Sequence, residues 1–229
     1  MRIPTLHDWA MTPTAAIALQ RQLAARVRET ALPAAPRLVA GADVSFARGD
    51  THGWAGIVVM RLPELTIIEQ HCRCAPLTFP YVPGLLSFRE LPLLLPLFAE
   101  LQQVPDAVIC DGQGRAHPRR FGLACHLGLW LDLPTVGCAK SILCGSHAPL
   151  QPAAGSMVPL TLADEEIGTV LRTRAKIKPV YVSVGHRITL PDAVRLVQVC
   201  CTRYRLPEPI RAAHALVNRA RITHCRTDN

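Results

Sequence analysis

Three β-rich runs, Leu38 to Phe46, Trp54 to Leu62 and Leu65 to Cys72, are joined by the turn-prone links Arg48-Gly49-Asp50 and Pro63-Glu64. Links this short return a strand alongside the previous one, whereas a parallel crossover takes a dozen or more residues, so an antiparallel meander is predicted. Downstream the pattern changes. Asp106 to Asp111 is a short apolar strand ending in an acid, a helix is predicted from about Arg119 to Leu131, and Thr135 to Ala139 reads as a further strand. Strand and helix alternating in this way belong to parallel α/β units, so the sheet is predicted to be mixed and flanked by helices.

The remaining segments extend this core. An amphipathic helix is predicted over residues 12–30, with Ile17, Leu19, Leu23 and Val27 on one face, acting as a cover. Leu85 to Gln103 reads as a Leu-rich helix that Pro92 and Pro96 either kink or push downstream. Beyond Leu150 a loop rich in proline and glycine leads to strands at Ile167 to Thr173 and Val180 to Val184. Helices at Pro191 to Tyr204 and Glu208 to Arg221 follow. The 229 residues suit one domain over residues 1–229, made of the helix 12–30, a core over 37–150 and a completing segment over 151–229.

Composition narrows the setting. Leu91 to Ala99, the longest apolar stretch, is too short for a bilayer, and the N-terminus has no signal-peptide apolar core, so a soluble, cytoplasmic protein without a membrane partner is expected. The nine cysteines include no C-x-x-C pair and read as thiols in a reducing compartment; His71-Cys72-Arg73-Cys74 lacks a second matching pair, and no zinc is assigned. Formal net charge is +8, and all but Lys140, Lys176 and Lys178 of the 25 basic residues are arginine. An anionic partner is indicated, nucleic acid first, since guanidinium groups make bidentate phosphate contacts. The excess concentrates between Arg195 and Arg226, where Glu208 is the only carboxylate.

Chemistry is concentrated at three acids. Asp43 lies in the first strand, Glu90 at the first main helix and Asp111 at the end of the fourth strand. Each has an ordinary alternative: a solvated strand acid, a helix-dipole partner and a turn-starting residue, respectively. The order of elements resembles the ribonuclease-H-like fold, in which the first and fourth strands are neighbours, so Asp43 and Asp111 are expected to converge and a helix over the sheet to add Glu90. Clustered carboxylates repel one another and call for a cation; hard oxygen donors suit Mg²⁺, with Mn²⁺ a substitute, and phosphodiester hydrolysis by metal-activated water. Just before Glu90, Pro80-Tyr81-Val82-Pro83 stiffens the backbone around an aromatic tip, and Gly84 turns the chain into the apolar run.

Val39 to Phe46, Phe79 to Glu90, Asp111 to Arg120, Gly137 to Ser141, Gly185-His186, and Arg205-Leu206-Pro207-Glu208-Pro209 followed by His214 together resemble the endonuclease V family of deoxyinosine 3′ endonucleases. The resemblance covers nearly the whole chain and departs at Pro96, Ile210 and Ala212. It implies an enzyme of DNA repair that recognises hypoxanthine and hydrolyses the second phosphodiester bond on its 3′ side, leaving 3′-hydroxyl and 5′-phosphate ends. It assigns Asp43, Asp111 and Glu90 to metal and catalysis, Lys140 to the phosphate, and His214 to the neighbourhood of the metal. Pro80, Tyr81, Val82 and Pro83 become a strand-separating wedge, and Gly112 and Gly114 line a main-chain pocket for the flipped base. His117 is given to substrate, and Arg89, Arg119, Arg120 and Arg205 are candidate phosphate contacts. Inosine-containing RNA as the substrate, or a non-catalytic nucleic-acid-binding module, are the alternatives.

Overall fold

The computed structural model describes residues 1–46 and 49–227, with residues 224–227 as backbone only, so Arg48 of the first predicted link and the side chain of Arg226 lie outside the described residues. β1 (Leu38–Ser45), β2 (His52–Arg61) and β3 (Thr66–Pro76) form the meander, each antiparallel to the one before. β4 (Ala107–Cys110) lies parallel to β1 on its other side, and β5 (Thr135–Ala139) lies parallel to β4. β6 (Met157–Leu162), β7 (Glu165–Leu171) and β8 (Val180–His186) pair antiparallel, with β8 against β5. The result is one mixed, ribonuclease-H-like sheet in the order β3-β2-β1-β4-β5-β8-β7-β6.

Because successive strand residues face opposite ways, the sheet buries two different helix layers. On one face Ala40, Ala42 and Val44 of β1 and Ile57 and Val59 of β2 join the leucines of α2 (Leu86–Glu100) and Leu127 and Trp130 of α3 (Leu123–Leu131). On the other, Val39, Ile109 and Val182 meet Val194 and Val197 of α4 (Leu190–Cys200), and Ile210 of α5 (Glu208–Thr227). α5 rests directly on β1 and β2 because two strand positions lack a side chain. A methyl group at Gly41 would stand 2.1 Å from the Pro209 carbonyl oxygen, and one at Gly56 would stand 2.5 Å from Val217 Cγ1. No helix among the described residues is long and apolar enough to cross a membrane.

Several predicted boundaries shift, each for a local reason. α1 (Pro13–Ala24) is shorter than the predicted 12–30: Thr12 caps it, its hydroxyl accepting from the Ala15 N–H at 3.2 Å, but past Ala25 the chain is drawn out along the sheet. There the Arg28 carbonyl accepts from the Arg187 N–H at 2.7 Å, and the Arg28 N–H donates to His186 Nδ1 at 3.2 Å. α2 starts at Leu86 and runs without a break through Pro92 and Pro96, because burial of Leu91, Leu93, Leu94, Leu97 and Phe98 outweighs the two lost N–H donors. β6 falls where a Pro- and Gly-rich loop is predicted; it is an edge strand, the position that tolerates Pro159. β3 runs on to Pro76, so Cys72 and Cys74 sit exposed on the opposite edge strand.

The contact of α5 with the sheet gives a stability test. Gly41→Ala drives a methyl into backbone that cannot swing aside and should cost ~3 kcal/mol, the upper end for overpacking. Gly56→Ala meets only the tip of Val217 and should cost less. Urea unfolding midpoints measure both, and equal losses would show that the Pro209 backbone yields as readily as the Val217 side chain.

Candidate active site

The site grows from the shared direction of β1, β4 and β5. Ala42 pairs with Cys110 and Cys110 with Gly137, so the next residues on the first two strands, Asp43 and Asp111, stand abreast, while Lys140 directly follows β5. Ligand crevices of open α/β sheets form outside such carboxyl ends. Asp43 shares the strand face of Gly41 and therefore looks toward α5, where His214 Nδ1 meets its Oδ2 at 2.8 Å. Lys140 Nζ is ion-paired with Asp111 Oδ2. Glu90 arrives from the helix layer on the other face, near the start of α2, and is buried.

The electrostatics show that the three acids share one place. Burial pushes Glu90 well above the usual carboxylate range, and the charges of Asp43 and Asp111 push it further. Burial also raises Asp43; its bond with His214 opposes the rise, and the charge of Asp111 adds to it. Lys140 and His214 each answer one acid, whereas Glu90 has no hydrogen bond or ion pair among the described residues. A buried carboxyl without a donor, electrostatically coupled to two more, is a donor set that suits a hard divalent cation. As the side chains stand, no three His, Cys, Asp or Glu residues among those described form a ligating group, since Asp43 is turned to His214 and Asp111 to Lys140.

Beside the acids lies a cavity of about 190 Å³, lined by Tyr81, Val82, Pro83 and Gly84 on one side and by Gln113, His117, Leu123 and Leu143 on the other. Its far wall thus comes from the loops after β4 and β5 that also carry Asp111 and Lys140. Tyr81 stands 66% exposed at the tip of the proline loop, next to the also exposed Pro80. Larger grooves of about 510 and 800 Å³ lie at the other end of the parallel strands, around Pro36, Arg37 and Asp106, away from the acids.

Other predicted residues are placed around this centre, several with their polar groups already engaged. The Gly112 N–H donates to the Cys110 carbonyl and the Gly114 N–H to Ser183 Oγ, both at 2.9 Å; a Cβ at Gly114 would stand 2.0 Å from the Val184 carbonyl oxygen. His117 is buried: its Nδ1 accepts from the Arg119 N–H at 3.1 Å, which leaves the proton on Nε2, 3.0 Å from the Gly84 carbonyl oxygen. Burial, with the nearby Arg119, lowers its pKa to about 4, so this ring is neutral at pH 7. Arg119 itself donates to Gly84 and to Gln20. Arg205 Nη2 donates to the carbonyls of Lys140 and Pro179, each at 2.6 Å, and so braces the Lys140 turn. Arg89 is buried, bonded to the Phe79 carbonyl and set over the Phe46 ring, and Arg120 pairs with Glu165.

Three polar residues escaped the sequence reading. Ser45 donates to Asn218 Oδ1 at 3.0 Å, and Asn218 Nδ2 lies 2.9 Å from His214 Nε2, so a short chain of bonds fixes the imidazole on Asp43. Asn218 lies four residues beyond His214 on α5, the one spacing that could have exposed it. Gln20 is the third, a polar residue at helical spacing between the buried Ala16 and Leu23.

A mixed sheet with this strand order, with two carboxylates side by side where β1 and β4 pair, defines a ribonuclease-H-like α/β protein. The family model described as Endonuclease V matches residues 21–215. The chain is 49% identical over 214 residues to an Endonuclease V from Dehalococcoides mccartyi strain CBDB1, covering 93% of this chain and 96% of the relative. The crystal structure of the Endonuclease V from Streptomyces avermitilis superposes with a TM-score of 0.89 at 38% identity, over 95% of this chain and 96% of that one. A Ciona intestinalis Endonuclease V, in complex with a 24mer DNA containing an inosine followed by a ribo-adenosine, superposes with a TM-score of 0.78 at 25% identity, over 92% and 98% of the two chains. The chain belongs to the endonuclease V family and is a nuclease.

The raised Glu90 predicts a pH signature. Its folded pKa lies above the ordinary 4.5, so the folded state holds a proton that the unfolded state has released, and stability falls as pH rises from about 4.5 toward the folded value. One such proton gives a slope of up to ~1.4 kcal/mol per pH unit. With divalent cations chelated, Glu90→Gln should therefore be more stable than wild type at pH 8 and equal to it at pH 4, as read by urea unfolding. An unchanged difference across that range would remove the buried charge as its cause.

Proposed function

We propose that this chain is a Mg²⁺-dependent endonuclease of DNA repair, with Mn²⁺ as a substitute, that recognises deoxyinosine and hydrolyses the second phosphodiester bond 3′ to it. The observation that carries this reading is the cavity beside the acid cluster, walled by the loops that bear Asp111 and Lys140 and capped by Tyr81. At about 190 Å³ it is smaller than the ~300–1,000 Å³ typical of drug-sized ligand sites and suits a single base. The relative bound to inosine-containing DNA supports the choice of base. The eight strands form one continuous sheet, which supports a single domain over residues 1–229; activity is proposed for the cytoplasm.

Asp43, Asp111 and Glu90 would hold the divalent cation, which when bound supplies Lewis acidity to the phosphoryl group and to water. Tyr81, on its proline-stiffened loop, fills the gap in the stack while the lesion base turns into the cavity, a movement that costs least for a mispaired base. Lys140 is drawn from Asp111 toward the negative charge that develops on the phosphate. His214, fixed by Asn218, holds Asp43 in orientation and stands beside the incoming water. Water attacks phosphorus in line and loses a proton to solvent, the P–O3′ bond breaks, and the leaving oxygen takes a proton from solvent. The products are 3′-hydroxyl and 5′-phosphate ends.

A second reading keeps the enzyme and makes inosine-containing RNA the substrate; the ribo-adenosine after inosine in the Ciona intestinalis complex favours it. Matched DNA and RNA strands carrying one inosine, incubated with Mg²⁺ and with EDTA, separate the readings. The DNA strand is expected to be nicked with Mg²⁺ alone, and Asp43→Ala is expected to lose at least ~100-fold in rate. Preferential cutting of RNA would replace the DNA-repair reading, and binding without cutting of either strand would leave a nucleic-acid-binding module.

For the wedge, Tyr81→Ala should reduce discrimination between inosine and adenine strands by the ~1–3 kcal/mol of one base–aromatic stack and leave the Mg²⁺ concentration dependence unchanged. A shifted Mg²⁺ midpoint would move Tyr81 from recognition to the metal site.

A further inference from the structure

Gln20 is 1% exposed, yet it comes from α1, the helix outside the sheet that sequence reading treats as a cover, and it precedes the residues matched by the family model. Its amide spans two loops. Nε2 donates to the Gly84 carbonyl, at the end of the wedge loop, and to the Phe121 carbonyl, at the end of the loop after β4, both at 3.0 Å. Its Oε1 accepts from Arg119 Nε. The same Gly84 carbonyl accepts from His117 Nε2 at 3.0 Å and from Arg119 Nη2 at 2.8 Å. Donors from α1 and from the 112–122 loop thus converge on one carbonyl beneath Tyr81. Gly84 holds φ +78°, and a Cβ there would stand 2.7 Å from Arg119 Nη2, so this carbonyl and its donors are closely fitted.

We propose that Gln20 is a positioning residue for lesion recognition: by bonding to Gly84 and Phe121 together it sets the spacing between the wedge loop and the loop that walls the base cavity. A buried amide whose donor and acceptor are both used locks two otherwise separate loops, and a cavity for one base tolerates little change in width. The claim rests on the proposed recognition of inosine for its effect on activity, and on loop order alone for its effect on structure.

The two layers are tested separately. Gln20→Met keeps the volume and loses all three bonds. Gln20→Glu keeps an acceptor for Arg119 but cannot donate to either carbonyl. Thr12→Ala uncaps the same helix without touching the loops and serves as the stability control. Amide exchange at Leu85, Phe88 and Gly122, whose N–H groups donate to the carbonyls of Val82, Leu85 and Gly114, should quicken at least ~10-fold in both Gln20 variants and stay as in wild type in Thr12→Ala. On inosine and adenine strands, both Gln20 variants should raise KM for the inosine strand and lower discrimination by ~10-fold, with kcat within ~3-fold of wild type. Unchanged exchange in the Gln20 variants, a Thr12→Ala response equal to theirs, or full rescue by Gln20→Glu would each overturn the proposal. Should wild type cut neither strand, inosine recognition fails and with it the role in discrimination, while exchange still decides whether Gln20 holds the loops.

Discussion

Parallel pairing of β1 with β4 is the constraint on which the rest of this structure depends. Because Ala42 is opposite Cys110, Asp43 and Asp111 stand side by side where the β1–β4 pairing ends, although they lie far apart in sequence. Backbone hydrogen bonds, indifferent to charge, thus press two carboxylates together, and α2 adds Glu90 from the layer on the other face. The repulsion is held by the core around it. Leu91, Leu94 and Phe98 anchor α2 on one face of the sheet, and Ile210 and Ala213 anchor α5 on the other.

The same frame sets the cavity beside the acids. The loop after β4 begins at Asp111, contributes Gln113 and His117 to the cavity, and returns to Phe121 beneath α1. The turn after β5 begins at Lys140, is braced by Arg205 and brings Leu143 to the same wall. Each loop has one end at the acids and the other at the cavity, so only a few residues separate the two along the chain. Arginines that the resemblance offered as phosphate contacts also make internal hydrogen bonds: Arg89 to Phe79, Arg119 to Gly84 and Arg205 to Lys140. A planar guanidinium with several fixed donors suits that task as well as it suits phosphate.

Much of the architecture was legible in the chain. Short links forced a meander, and Thr135 to Ala139 is a strand with the predicted bounds, because buried runs and tight turns are local signals. Where prediction and structure part, a distant contact decided the outcome. Residues 27–30 continue a helical composition but leave the helix, and Arg28 bonds to His186 and Arg187; Met157 to Leu162 looks like a loop but completes a sheet edge. Gln20 was overlooked because Ile17, Leu19, Leu23 and Val27 define one helical face in sequence, while Ala16, Gln20 and Leu23 are the residues that burial selects.

By itself, then, the sequence determined the meander, the α/β alternation after it, the stiffness of the Tyr81 loop and the three acids as candidates, since each depends on residue type and short-range spacing. Only the tertiary structure decided that Asp43 faces His214, that Glu90 is buried without a donor among the described residues, and that the nitrogens of His117 are used inside the protein. Those facts depend on which residues meet across the sheet and between its layers, and such meetings follow from register and close approach, as at Gly41 beneath Pro209, which no window of sequence contains.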